Sequence, residues 1–138
     1  MEKEFVTYEQ ALALKELGFD EPCICRYCIV TEWEKPTGGI LLQQIDCKIS
    51  DKTFIKAPLY QQSFRWFREK HNLFGKVYIT NFGGDEYSFN IYDLYEEEYK
   101  YENFIGASMS YAGTFEAYEE AELACLEKLI EIVESKSE

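Results

Sequence analysis

The sequence predicts one α+β domain spanning residues 1–138. Its order is α-β-β-α-β-β-α, with a mostly antiparallel sheet of two hairpins and helices packed on one side. Three observations predict it. Apolar residues recur at helical spacing in three capped segments, near 8–17, 58–71 and 117–134. Two runs rich in β-branched and aromatic residues are each broken by a glycine turn, Lys35-Pro36-Thr37-Gly38-Gly39 and Gly83-Gly84-Asp85. The chain has 138 residues, 46% of them hydrophobic, which is enough for one packed core and too few for two comfortable ones.

The first helix opens on Thr7-Tyr8-Glu9-Gln10, a hydroxyl N-cap with Gln three residues on, which is the spacing of a capping box. Ala11, Leu14 and Leu17 form its apolar stripe. Gly18 then stands where a left-handed residue ends a helix, and Phe19 can fold back on the last turn. Residues 23–33 and 40–45 read as the first hairpin, and the pattern over 46–56 fits either a longer strand or a loop. Pro58 suits the first position of the second helix. Tyr60, Phe64 and Phe67, with Ser63 beside them, mark its buried face, and Asn72 and Gly75 bracket the exit. Val77 to Phe82 and Tyr87 to Ile91 form the second hairpin. Residues 92–113 fit the end of that strand followed by a loop or a short extra strand. In the last helix Ala121, Ala124, Cys125 and Ile132 mark a stripe widened by Leu126, Leu129, Ile130 and Val133, with Glu120, Glu127, Glu131 and Glu134 opposite.

The net charge of −12 is unevenly placed. Residues 1–83 carry equal numbers of acids and bases, whereas 84–138 carry fifteen acids against Lys100, Lys128 and Lys136. So acidic a chain is not expected to track nucleic-acid phosphates, because each such contact needs a cation. Apolar runs are only a few residues long, so no membrane association is expected. Met1 to Phe5 lack a basic stretch followed by an apolar one, so a cytoplasmic location without a secretory leader is expected.

Catalytic signatures do not surface. There is no phosphate-binding loop, dinucleotide fingerprint, nucleophile elbow or zinc-protease helix, and no catalytic residue or cofactor is assigned. Cys23, Cys25, Cys28 and Cys47 are the one metal-like constellation. On an extended strand, however, Cys23 and Cys25 face away from Cys28, while tetrahedral zinc needs four converging thiolates. Free thiols acting as small apolar side chains are the simpler reading, with a zinc or thiol-dependent protein as the alternative. His71, the single histidine, falls at a helix C-terminus, where an imidazole complements the dipole.

Two segments point to a partner instead. Lys52, Lys56, Arg65, Arg68, Lys70 and Lys76 form a locally basic stretch. With Trp66 it makes either an interaction patch or a counterweight to the acidic C-terminal half around a core tryptophan. Tyr92 to Tyr101 is rich in tyrosine and acid. Tyr95, Tyr99 and Tyr101 offer contact area at low entropic cost, or else form a sheet face. The expected partner-binding residues are therefore Trp66, Arg65, Arg68, Tyr95, Tyr99 and Tyr101, for a protein partner or a second copy of the chain. An acidic decoy that occupies a cationic nucleic-acid-binding groove is the alternative.

Three segments, YEQALALKELGFDEPC at 8–23, APLYQQSFRWFREKHNL at 57–73 and AYEEAELACLEKLIEIV at 117–133, resemble small uncharacterised proteins of tailed bacteriophages, prophages and other bacterial mobile elements. The resemblance implies a setting, the cytoplasm of a bacterial host, and a non-enzymatic accessory role. It implies no reaction, cofactor or site. Ala117 departs from the hydroxyl expected at the last helix's N-cap.

Overall fold

A computed structural model of the chain describes residues 2–30, 39–44, 54–80, 86–101 and 114–136. The α+β class holds. The described residues form a short 3-10 turn at Glu2–Glu4, three α-helices and six strands, the strands arranged as two three-stranded antiparallel sheets. The two hairpins do not share a sheet. Each recruits a third strand of its own, and the chain divides into two compact units, Met1–Leu59 and Tyr60–Glu138.

In the first unit, helix α1 (Tyr8–Glu16) begins with the expected capping box. The Gln10 N–H donates to Thr7 Oγ1 at 3.2 Å, and the Thr7 N–H donates to Gln10 Oε1 at 3.0 Å. Its end is equally local. Gly18 takes φ +101°, the Gly18 N–H donates to the Lys15 carbonyl at 3.1 Å, and the Phe19 N–H reaches back to the Leu14 carbonyl at 2.9 Å. That pair of bonds is the Schellman arrangement, and Phe19 and Leu14 are both buried beside it.

Strand β1 (Cys25–Val30) is central, flanked by β2 (Gly39–Gln44) and β3 (Phe54–Ala57). β3 begins in the stretch 46–56, expected to lengthen the preceding strand or to form a loop, and is instead a separate strand on the other side of β1 from β2. The turn at 35–38 and Cys47 lie outside the described residues. Side chains alternate across β1. Cys25 and Tyr27 face a core of Phe5, Ala57, Leu42 and Leu59, and the Tyr27 hydroxyl donates to the Val6 carbonyl at 2.6 Å. Arg26 and Cys28 face the other way, opposite Lys56 and Phe54.

Pro58 does not open the second helix. The Val6 N–H donates to the Pro58 carbonyl at 3.0 Å and Leu59 bridges to Phe5, so these two residues are held by the N-terminal segment. Helix α2 (Tyr60–His71) starts at Tyr60. Tyr60, Ser63, Phe64 and Phe67 form its buried face, as the spacing requires. Asn72, at φ 57°, takes the left-handed position after it.

The second sheet follows in the order β4 (Leu73–Ile79), β5 (Tyr87–Asp93) and β6 (Glu98–Tyr101). The turn at Gly83-Gly84-Asp85 and residues 102–113 lie outside the described residues. Leu73, Gly75 and Val77 share a face with Asp93, Ile91 and Phe89 opposite them. Helix α3 (Tyr118–Lys136) packs on that face and α2 packs on β4 and α3. Gly75, expected to mark the end of a helix, lies within β4 instead. A Cβ there would meet Cys125 Sγ at 2.9 Å and Leu129 Cδ1 at 3.0 Å, so its lack of a side chain is what lets α3 approach. Cys125, Leu126, Leu129 and Val133 are buried, as the stripe predicts, and Glu122 is buried with them.

Candidate functional site

The β4–β5 register places Phe74 opposite Tyr92 on the face away from α3, and the β5–β6 register places Tyr99 opposite Tyr92. The result is a row of three rings across the sheet: Phe74, Tyr92 and Tyr99. Tyr92 and Tyr99 meet edge to face at 5.0 Å, and the Arg68 guanidinium lies 5.3 Å from the Phe74 ring centroid. Phe74 and Tyr99 are exposed and Tyr92 is half-buried. Where β5 and β6 meet, next to Tyr92 and Tyr99, the connecting turn carries Leu94 and Tyr95, the latter 84% exposed.

That turn is fixed from below. Asp93 is 1% exposed, and its Oδ1 accepts the Tyr95 N–H at 2.9 Å and the Glu96 N–H at 3.0 Å. Its Oδ2 accepts from Lys136 Nζ at 3.3 Å, and the Leu94 N–H donates to the Asn72 carbonyl at 2.7 Å. Burial pushes the Asp93 pKa up. The bonds from the Glu96 N–H, the Lys136 ammonium and the Tyr95 N–H outweigh it and hold the group below its ordinary value. Glu97, in the same turn, takes a left-handed φ of 56°. Lys100 forms ion pairs with Glu96 and, at 2.8 Å, with Glu98. The acidic run is thus partly neutralised where it meets the strand.

Of the six residues expected to bind a partner, Tyr99 stands on this face, Arg68 lies beside its Phe74 ring and Tyr95 is exposed on the adjoining turn. Arg65 is exposed three residues before Arg68 on α2, on the same general side of the helix. Trp66 and Tyr101 do not belong. Trp66 is 4% exposed, with its ring 5.0 Å from Phe67 and 4.9 Å from His71, so it is core. Tyr101 stacks on Phe89 at 4.6 Å on the α3 side, where Lys128 Nζ lies 5.8 Å from its ring. The cause is a β-bulge. One residue of β6, Lys100, separates Tyr99 from Tyr101, while their partners Tyr92 and Ile91 are adjacent, so Lys100 is the extra residue and reverses the alternation. Phe74 and Tyr92 were missed because their pairing depends on the hairpin register, which extends back to Leu73.

The cysteines do not assemble into a site among the described residues, where no three His, Cys, Asp or Glu side chains converge as metal ligands. Burial pushes the Cys23 thiol up to about 11, with Glu21 and Cys25 adding to it and Lys56 opposing. Burial likewise raises Cys25 and, helped by Glu122, pushes Cys125 up to about 12. A thiolate nucleophile needs the opposite shift. His71 lies among aromatic rings; burial first, then Lys136, lowers its pKa. Among the described residues no helix is long and apolar enough to cross a membrane.

Comparison of the chain with protein-family models, with curated proteins and with solved structures gives no match.

Proposed function

We propose that this chain is a non-enzymatic protein-interaction protein whose docking surface is the aromatic face of the second sheet. One observation carries the reading: exposed Phe74 and Tyr99 flank Tyr92 on one face of the sheet, and the adjoining turn that carries exposed Tyr95 is hydrogen-bonded to the buried Asp93 carboxylate. Contiguous exposed apolar surface marks interaction sites, and a preorganised turn lowers the ordering cost of binding. The partner is a protein, either a second copy of this chain or a host protein. The proposal includes the setting that the helix segments imply by resemblance, an accessory role for a phage or mobile element inside a bacterial cell.

The direct test replaces Tyr95 or Tyr99 with a photo-crosslinking amino acid in expressing bacteria, with Ile24, exposed in the first unit, as the control position. The expected result is a discrete adduct from 95 and 99 that disappears when Phe74 is changed to Ser. Adducts no stronger than those from position 24 would refute the docking surface.

A second reading rests on Glu96, Glu97 and Glu98 standing beside these tyrosines, as in a decoy for a cationic groove. It requires binding that weakens steeply with salt, because exposed charges are screened within about 8 Å at physiological ionic strength. Salt-insensitive capture at Tyr95 favours the aromatic contact over the decoy.

A further inference from the structure

The aromatic face of the second sheet carries opposite charges toward its two edges. Phe74, Tyr92 and Tyr99 stand on three neighbouring strands, so the row is two strand spacings wide, about 10 Å. At the β4 edge, half-buried Arg68 holds its guanidinium 5.3 Å from the Phe74 ring centroid. On the β6 side, the turn that joins β5 to β6 is acidic. Lys100 pairs with Glu96 and Glu98, and Glu97 is an exposed carboxylate outside that cluster.

Both charges also stand at the same end of the strands. Arg68 lies in the last turn of α2, which ends at His71 just before Leu73 opens β4. Leu73 pairs with Asp93, the end of β5, where the acidic turn begins. The Asn72 carbonyl accepts the Leu94 N–H at 2.7 Å, which ties the helix exit to that turn. The face is therefore self-complementary about a twofold axis laid parallel to the strands and passing over Tyr92. Such an axis exchanges the β4 and β6 edges and keeps the two ends of the strands in place. It sets Tyr92 against its own copy, Phe74 against Tyr99 of the second copy, and Arg68 toward the second copy's acidic turn. Every contact occurs twice, as an isologous interface requires. Sheets packed face to face lie about 10 Å apart, a gap that aromatic side chains fill.

We propose that the occupant of this face is a second copy of the chain, docked about that twofold axis, with reciprocal Arg68–Glu97 ion pairs flanking the facing rings. The inference rests on the docking surface proposed above and names its occupant. Charge complementarity selects the copy: Arg68 opposes a strongly basic partner at the β4 edge, and the turn opposes an acidic one. The net charge of −12 on each copy acts against pairing from a distance. At physiological ionic strength that repulsion is screened beyond about 8 Å, whereas charges in contact still attract. A few rings and one ion pair from each side make a small interface, so the dimer is a weak one.

Sedimentation of the purified full chain at physiological salt, from about 10 µM to about 1 mM, is expected to show a monomer–dimer equilibrium. Arg68→Glu and Glu97→Arg are each expected to weaken the dimer at least about tenfold, because one reversal turns both attractions into repulsions. Mixing the two variants is expected to restore a dimer. In the mixed pair the new acid of one chain meets the new cation of the other, and the native Arg68 and Glu97 meet on the opposite side. Native mass spectrometry identifies that mixed dimer by its mass. Glu97→Arg changes an exposed turn residue, so its weakening, at unchanged melting temperature, is read even where Arg68→Glu does not fold. A chain that stays monomeric at about 1 mM overturns the proposal. So does a dimer that the reversals leave unchanged, or a pair of folded variants that do not associate when mixed. A monomeric chain that still crosslinks to a host protein from positions 95 and 99 removes the second copy alone. Absence of both signals removes the docking surface as well.

Discussion

Replacing Asp93 with Asn keeps the shape of the turn anchor and removes its charge. In the wild type the carboxylate is buried and accepts two backbone N–H bonds at 2.9 and 3.0 Å, with Lys136 Nζ at 3.3 Å. A hydrogen bond to a charged acceptor contributes about 1 kcal/mol more than its neutral counterpart. Two buried bonds therefore account for about 2 kcal/mol, and the Lys136 contact, on a half-exposed lysine, adds little after solvent screening. The asparagine amide also turns a donor toward the ammonium. Asp93→Asn is expected to lower the unfolding free energy at pH 7 by about 2 kcal/mol, measured by urea titration with buried Trp66 fluorescence as a reporter within the same unit. The pH dependence follows from the lowered pKa. A carboxylate whose folded pKa is depressed contributes full stability above its unfolded pKa of about 3.9, and that contribution is lost as pH falls through the folded value. The gap between wild type and Asp93→Asn must then narrow below about pH 4. A difference under about 0.5 kcal/mol at pH 7, or two parallel pH profiles, would refute the anchor.

Two further outcomes follow from packing and burial. Gly75→Ala is expected to destabilise the chain by about 1–3 kcal/mol, because the new methyl meets Cys125 Sγ and Leu129 Cδ1 inside contact distance. Cys125→Ala in the same chain is expected to recover part of that loss in a double-mutant cycle, and strict additivity would show that the two sites do not touch. Cys125 and Cys23, pushed up to about 12 and about 11 by burial, are expected to resist iodoacetamide at neutral pH until the protein unfolds. Labelling of Cys125 in the native protein at the rate of an unfolded control would contradict its burial.

What could be read directly from the sequence was local. The Thr7–Gln10 capping box and the Gly18–Phe19 stop define α1 through bonds that reach no more than five residues. The stripes of α2 and α3 name their buried faces because helical spacing places those side chains together wherever the helix docks. Tyr95 and Tyr99 were legible as exposed candidates because tyrosines interleaved with acids suit a wet surface.

Tertiary structure decided the rest, for one physical reason: strand pairing joins residues whose neighbours in sequence carry no record of the partner. β3 exists because Phe54–Ala57 pairs with Cys25–Cys28, and β6 because Glu98–Tyr101 pairs with Asp93–Ile91. One extra residue in that last pairing, Lys100, sends Tyr99 outward and Tyr101 inward, although alternation alone puts both on one face. The same holds for Trp66, which only the surrounding rings make core. It holds for Gly75, whose role is set by a helix fifty residues away. Arg26 reads as an ordinary strand cation until the fold closes over it. Capping and spacing are written in the chain, while burial, register and the aromatic face belong to the folded molecule.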